Sequence, residues 1–346
     1  MELPATAARA LSGILGMLLL AAGALPLPAA AQQALLMPLA SESLLLDVKR
    51  AGQRLVAVGE RGHVLLSDDH GASWRQVAVP TTRVLTALWF VDEHRGWAVG
   101  HEGVILATGD AGDSWTLQRG WTSGRPPPDR QREPASAAPL MAVWFADALH
   151  GIAVGANGLY LETGDGGENW LVPRELPDNP DQLHLYAIAS PDGERLLLAG
   201  ESGILYRSPD RGQSWEALPS AEAGTLFGLV AEPASNRVLA FGLEGNVLVS
   251  ADFGDSWRGL ASPVEVVLAG GVYRGDGRVL VAGSVGTLLQ VELRSGAITS
   301  LATGTVTGNF AQAVVAADGA IVLAGQGGLV RLPSADHAGT VKRGAL

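Results

Sequence analysis

Ser67-Asp68-Asp69-His70-Gly71-Ala72-Ser73-Trp74 is the stretch from which the rest of the chain is read. Its pattern, [Ser/Thr]-x-Asp-x-Gly-x-[Ser/Asn]-Trp, occurs five times. The boxes are carried by Asp69, Gly71 and Trp74; by Asp110, Gly112 and Trp115; and by Asp165, Gly167 and Trp170. Two more are carried by Asp210, Gly212 and Trp215, and by Asp252, Gly254 and Trp257. The aspartates lie 41, 55, 45 and 42 residues apart. A period in this range identifies repeated supersecondary units, each too small to bury its own apolar faces.

A second landmark precedes each box, a Gly-x-x-Gly turn: Gly59–Gly62, Gly100–Gly103, Gly155–Gly158, Gly200–Gly203 and Gly242–Gly245. Two further copies, Gly283–Gly286 and Gly325–Gly328, have no box after them. The count is therefore seven repeats, five of them boxed. Each reads as four short strands. In the second, Leu85–Phe90 is an apolar run, Asp92–Arg95 a turn and Gly96–Val99 a second strand; Val104–Ala107 and Trp115–Gln118 follow. β-branched and aromatic runs of this length between Gly and Asp are strand signals, and no stretch after residue 34 keeps a helical period. The expectation is an all-β fold, a seven-bladed β-propeller of four-stranded antiparallel blades. Near-continuous apolar runs such as Arg54-Leu55-Val56-Ala57-Val58 fit blades covered on both faces. A linear solenoid would need polar capping repeats, and the terminal repeats are as apolar as the middle ones.

The blades are expected to begin near residues 44, 84, 139, 184, 225, 265 and 309, within a propeller spanning 44–332. Residues 32–43 form an N-terminal segment and 333–346 a C-terminal tail. Blade 7 offers only three strands. Its outer strand is expected from Leu35–Leu39 in preference to Gly339–Lys342, since the former joins the two ends of the ring. One insertion, residues 119–138, separates blades 2 and 3 and carries Arg125-Pro126-Pro127-Pro128-Asp129-Arg130-Gln131-Arg132. Such a Pro-rich charged loop is extended and lies at the surface. It leaves the end of the strands that holds the Gly-x-x-Gly turns, and the boxes lie at the other end.

Residues 1–31 read as a secretory signal: Arg9, then an apolar run from Leu11 to Leu25, then Ala29-Ala30-Ala31 before Gln32. The run is short for a spanning helix. The expected location is an exported compartment, periplasmic or lumenal. The chain has no cysteine, which excludes disulfides, thiolate metal sites, cysteine nucleophiles and a thioether lipid anchor. A net charge of −11, with two lysines (Lys49 and Lys342), argues against nucleic acid as a partner.

Each box explains itself as a turn. Asp accepts backbone N–H bonds, Gly takes a positive φ, and Trp buries its ring beside an acceptor. Five copies around a ring cannot be one active site. The pattern is similar to the Asp-box, or bacterial neuraminidase, repeats of sialidases, some glycoside hydrolases, sortilin-type receptors and the photosystem II assembly and stability factor family. The phrases Leu88-Trp89-Phe90-Val91-Asp92 with Gly96-Trp97-Ala98-Val99-Gly100 most resemble the last of these. So do Val143-Trp144-Phe145-Ala146-Asp147 and Gly151-Ile152-Ala153-Val154-Gly155. The resemblance covers roughly residues 44–332. It implies a non-enzymatic factor that binds newly made membrane-protein subunits through an arginine-rich patch on one face. The arginines on the corresponding face here are Arg61, Arg83, Arg125, Arg130, Arg132 and Arg174.

Catalytic alternatives find little support. A sialidase needs an arginine triad and a Tyr–Glu pair, yet Tyr160 and Tyr206 fall on third strands, away from the channel. A glycosidase needs two carboxylates about 5–9.5 Å apart, and Asp47 is the only acid on an inner strand. His63 and His101 sit in adjacent turns without ligand spacing. The expectation is an exported scaffold, monomeric and without cofactor or metal, whose partner is a protein, a membrane-protein subunit or a transporter, bound during assembly. A glycan-binding or glycoside-hydrolysing Asp-box protein is the alternative.

Overall fold

The computed structural model describes residues 33–120, 138–173, 177–219, 224–304 and 308–334. Seven antiparallel sheets follow one another along the chain. Blade 1 comprises β1 (Leu45–Ala51), β2 (Arg54–Gly59), β3 (Val64–Ser67) and β4 (Arg75–Val77), paired in that order. Blades 2, 4, 5 and 6 repeat this four-stranded order, and their innermost strands are Leu85–Phe90, Leu185–Ala189, Leu226–Ala231 and Leu268–Gly275. Blades 3 and 7, which begin with Leu140–Phe145 and Phe310–Val315, have three strands among the described residues. Each inner strand packs beside the next, and that of blade 7 returns to β1. The expected seven-bladed propeller is the observed fold.

The core sits between blades and not within them. One apolar cluster joins Val56 and Val58 of blade 1 to Leu88 and Ala98 of blade 2. Another joins Val99 and Ile105 of blade 2 to Val143 and Leu161 of blade 3. The pattern continues around the ring to a cluster joining Val314 and Val322 of blade 7 to Leu55 and Leu65 of blade 1. Second strands therefore have apolar neighbours on both sides. Gly96–Gly100, Gly151–Gly155, Leu196–Gly200 and Val238–Gly242 are buried at every residue. This is why those runs do not alternate in polarity.

The boxes are turns closed by their own side chains. Asp69 Oδ1 accepts from the Ser67 hydroxyl (2.8 Å) and the Ser73 amide (2.9 Å), while Oδ2 accepts from the Ser73 hydroxyl (2.5 Å). The Gly71 amide donates to Ser67 Oγ at 2.8 Å, and Gly71 sits at φ 88°, where a glycine is needed. Asp110, Asp165, Asp210 and Asp252 repeat this network. Asp110→Ala is expected to lower stability by about 0.5–2 kcal/mol, the cost of losing a cap-like backbone bond. Thermal unfolding that matches the parent chain would deny the box a structural role.

The same bonds make the boxes sensitive to acid. The Ser73 hydroxyl and amide hold Asp69 at about 2, below the ordinary 3.8. The Asn169 amide and side chain hold Asp165 at about 2 as well. Burial would raise Asp110 and Asp210, but the Ser114 and Ser214 hydroxyls and amides outweigh it. Folded-state values below the unfolded ones mean that this stabilisation is fully present above about pH 4 and is lost as pH falls toward 2. The boxes' contribution to the melting temperature is expected to be constant from about pH 5 upward and to fall between about pH 4 and 2, so that the acid-side fall is less steep in Asp69→Asn. A midpoint that held constant down to pH 2 would contradict the linkage.

The N-terminal segment departs from expectation. Leu35–Leu39 does not supply an outer strand to blade 7; it belongs to no strand and lies against blade 1. The Ala34 amide donates to the Val79 carbonyl at 2.9 Å. The side-chain amide of Gln76 brackets the segment, accepting from Met37 N–H (2.7 Å) and donating to Leu35 O (2.9 Å). Pro38, with no N–H, could not complete a ladder here. A single 3₁₀ turn at Ala40–Glu42 then reaches Gly328 of blade 7, whose missing Cβ would fall 2.1 Å from Ser41 O. Residues 335–346, including the rival segment Gly339–Lys342, lie outside the described residues. The signal read at residues 1–31 does too.

Candidate partner-binding face

The Gly-x-x-Gly turns share one end of the ring with the start of every inner strand. The first glycine of each turn packs on that start: a Cβ on Gly100 would lie 2.0 Å from Val84 O, and one on Gly242 2.0 Å from Thr225 O. The third residue adopts a left-handed conformation, as in Arg61 (φ 56°), Glu102 (57°), Asn157 (55°), Ser202 (55°) and Glu244 (56°). Val285 does the same at φ 57° in the unboxed blade 6, where a β-branched residue is unusual. Val285 presents an exposed apolar side chain at its turn.

Inside this rim every inner strand bulges by one residue, between Leu45 and Asp47 in blade 1, Leu85 and Ala87 in blade 2, and Leu226 and Gly228 in blade 5. A bulge turns the extra side chain out of the pleat. Leu46, Met141, Tyr186, Phe227 and Ala269 thereby ring a central channel of about 450 Å³. Tyr186 and Phe227 meet edge to face at 5.1 Å. Asp47, the sole carboxylate on the inner strands, is buried below them. It accepts from the amides of Val48 (2.8 Å) and Leu88 (2.7 Å) and pairs with Lys49 (3.2 Å). It therefore stitches blade 1 to blade 2.

The arginines read from the sequence divide. Arg61 is exposed on its turn. Arg83 pairs with Glu102 at 2.9 Å. Arg125, Arg130, Arg132 and Arg174 lie outside the described residues. Sequence reading missed Arg119, whose guanidinium donates to Gly103 O at 2.8 Å, and the acids that share the rim. Glu60 accepts from the Leu44 amide at 3.3 Å, and Glu201 accepts from the His184 amide at 3.1 Å. It also missed the apolar ring, because a bulge residue looks like any other strand residue in one sequence. His63 is buried with Nδ1 2.8 Å from the Ser43 hydroxyl, and burial lowers its pKa; His101 is exposed. Among the described residues no three His, Asp or Glu side chains are grouped to hold a metal.

Residues 131–225 match the family model described as photosynthesis system II assembly factor YCF48. The photosystem II assembly lipoprotein Ycf48 of Synechococcus sp. (strain CC9902) is 40% identical over 77 residues, 22% of each chain. The chloroplastic photosystem II stability/assembly factor HCF136 of Cyanidioschyzon merolae (strain NIES-3377 / 10D) is 36% identical over 86 residues, 24% of this chain and 18% of that one. The matched stretches thus span about a fifth of these relatives. A solved structure titled "YCF48 bound to D1 peptide" superposes with a TM-score of 0.65 at 19% identity, covering 90% of this chain and 100% of that one. YCF48 from Cyanidioschyzon merolae gives a TM-score of 0.65 at 15% identity, covering 87% and 98%. With its fold, its boxes and these matches together, the chain is an Asp-box β-propeller similar to the photosystem II assembly and stability factors.

Proposed function

We propose that this chain is an exported, non-enzymatic assembly scaffold that binds a protein partner, a membrane-protein subunit, on the face formed by the Gly-x-x-Gly turns. The observation that carries the proposal is the open apolar mouth at that end, ringed by Leu46, Met141, Tyr186 and Phe227 and rimmed by charged turn tips. An amphipathic rim around an apolar centre is the usual composition of a protein-binding patch. Relatives named as assembly factors, one of them solved with a peptide, support the same reading. The stretch that carries Arg125, Arg130 and Arg132 begins at Arg119, whose guanidinium donates to Gly103 O at this end.

The test is capture from detergent-solubilised membranes of the source cell with the chain lacking residues 1–31. The parent chain is expected to retain a defined membrane-protein subunit. Phe227→Asp, in the wall of the mouth, is expected to reduce capture at least tenfold, and Arg125/Arg130/Arg132→Ala at least threefold. Undiminished capture by Phe227→Asp would remove the face from the proposal; undiminished capture by the triple variant would remove the loop.

A further inference from the structure

The five boxes share one carbonyl, that of the residue between Asp and Gly, and a donor from the preceding blade caps it at four of them. Arg331 Nε donates to His70 O at 3.1 Å and Arg54 to Ala111 O at 3.3 Å. Gln118 (2.8 Å) and Trp97 (3.3 Å) donate to Gly166 O, and Arg207 donates to Phe253 O at 3.3 Å. Two of these arginines continue to the carboxylate just after the box glycine, Arg54 to Asp113 at 2.8 Å and Arg207 to Asp255 at 2.6 Å. The fifth carbonyl, on Arg211, has no such cap among the described residues. The space before it is a cleft of about 550 Å³ between blades 3 and 4, lined by Trp144, Ile152, Glu162, Leu171 and Gln213.

Glu162 stands where Arg207 stands in the next blade. Each precedes the box Thr or Ser by one residue, and each pairs across to the residue after the box Trp, Leu171 and Glu216 respectively. The sign of the charge is reversed. The Glu162 carboxylate makes no hydrogen bond or ion pair among the described residues, and burial alone raises its pKa. Other charges at the cleft are already engaged. Arg211 is held by Glu194 and lies 3.7 Å from Asp147; His150 faces Asp147 at 3.0 Å; Asp165 is spent on Asn169.

We propose that the cleft between blades 3 and 4 receives an arginine side chain of an extended peptide. The incoming guanidinium donates to Arg211 O and to the Glu162 carboxylate, as Arg207 does to Phe253 O and Asp255 in the chain's own seam. A planar fork of donors matches that pair of acceptors better than a lysine does. The peptide character follows from the rim. The outer strand of blade 3 shrinks to the single bridge Glu162–Leu171, and Pro173, at the place of Val77 in blade 1, has no N–H to continue it. Leu171 and Val172 are left 63% and 61% exposed beside the cleft, an apolar ledge for the backbone that carries the arginine. This site lies at the box end, opposite the face proposed above, and does not depend on it.

The test is isothermal titration of the chain with the capped pentapeptide Gly-Ala-Arg-Ala-Gly, with the same peptide bearing citrulline for arginine, and with arginine amide alone. Saturable binding of the arginine peptide is expected, at least tenfold weaker for the citrulline peptide and for Glu162→Gln. Glu162→Arg rebuilds the chain's own clasp, so it should abolish binding and raise the melting temperature. Equal binding by Glu162→Arg and the parent, or no saturable binding to the parent, would overturn the site. Equal affinity for arginine amide would overturn the peptide as occupant.

Discussion

Trp97→Ala is expected to destabilise the ring by about 3–5 kcal/mol, the range for truncating a large buried aromatic residue. Trp97 is buried on the second strand of blade 2, and its ring stacks on Phe145 of blade 3 with centroids 3.4 Å apart and planes 7° from parallel. Its indole N–H also caps Gly166 O at 3.3 Å. Alanine would remove the stacking surface and a hydrogen bond from the apolar seam between blades 2 and 3. Trp97→Phe keeps most of the stack and leaves the carbonyl to Gln118, so about 1 kcal/mol is expected for the lost donor. Urea unfolding of the two variants separates the contributions. Equal losses would mean that the hydrogen bond, and not the ring, carries the seam.

Gly100→Val is the second large effect, with an expected cost above about 4 kcal/mol and little folded protein recovered. The reason is contact and not conformation, since Gly100 has an extended φ of −174°. Its Cβ would stand 2.0 Å from Val84 O and 2.9 Å from Leu85 Cα, both backbone atoms that cannot swing aside. Gly109→Ala is the control: nothing lies within 4 Å of that Cβ, and a change within about 0.5 kcal/mol is expected. If both variants melted like the parent chain, the tight approach of turn to inner strand would have no energetic weight.

These two residues also mark what a single sequence discloses. The glycine turns and boxes are local devices, so their spacing alone discloses seven blades and the box chemistry. The apolar runs disclosed burial on both faces. The bulges are different. They arise where inner strands converge on the axis, and Leu46 or Phe227 carries no mark of that in its neighbours along the chain. The N-terminal segment misled for a related reason: Leu35–Leu39 has strand composition, but its partner is the side-chain amide of Gln76. The shortened outer strand of blade 3 had a visible cause in Pro173, yet its meaning required seeing Glu162 in the place of an arginine.

The placement of the apolar clusters has a further consequence. A linear stack of repeats has two ends, and each must be made polar; a circle has none. Here every cluster belongs to two blades at once, so a single blade cut from the ring would expose two bare faces and own no core. The smallest stable unit is the whole circuit, and the chain gains or loses its structure as one object. A blade can therefore change its rim, or lose its box as blades 6 and 7 have, while its flanks stay bound by both neighbours.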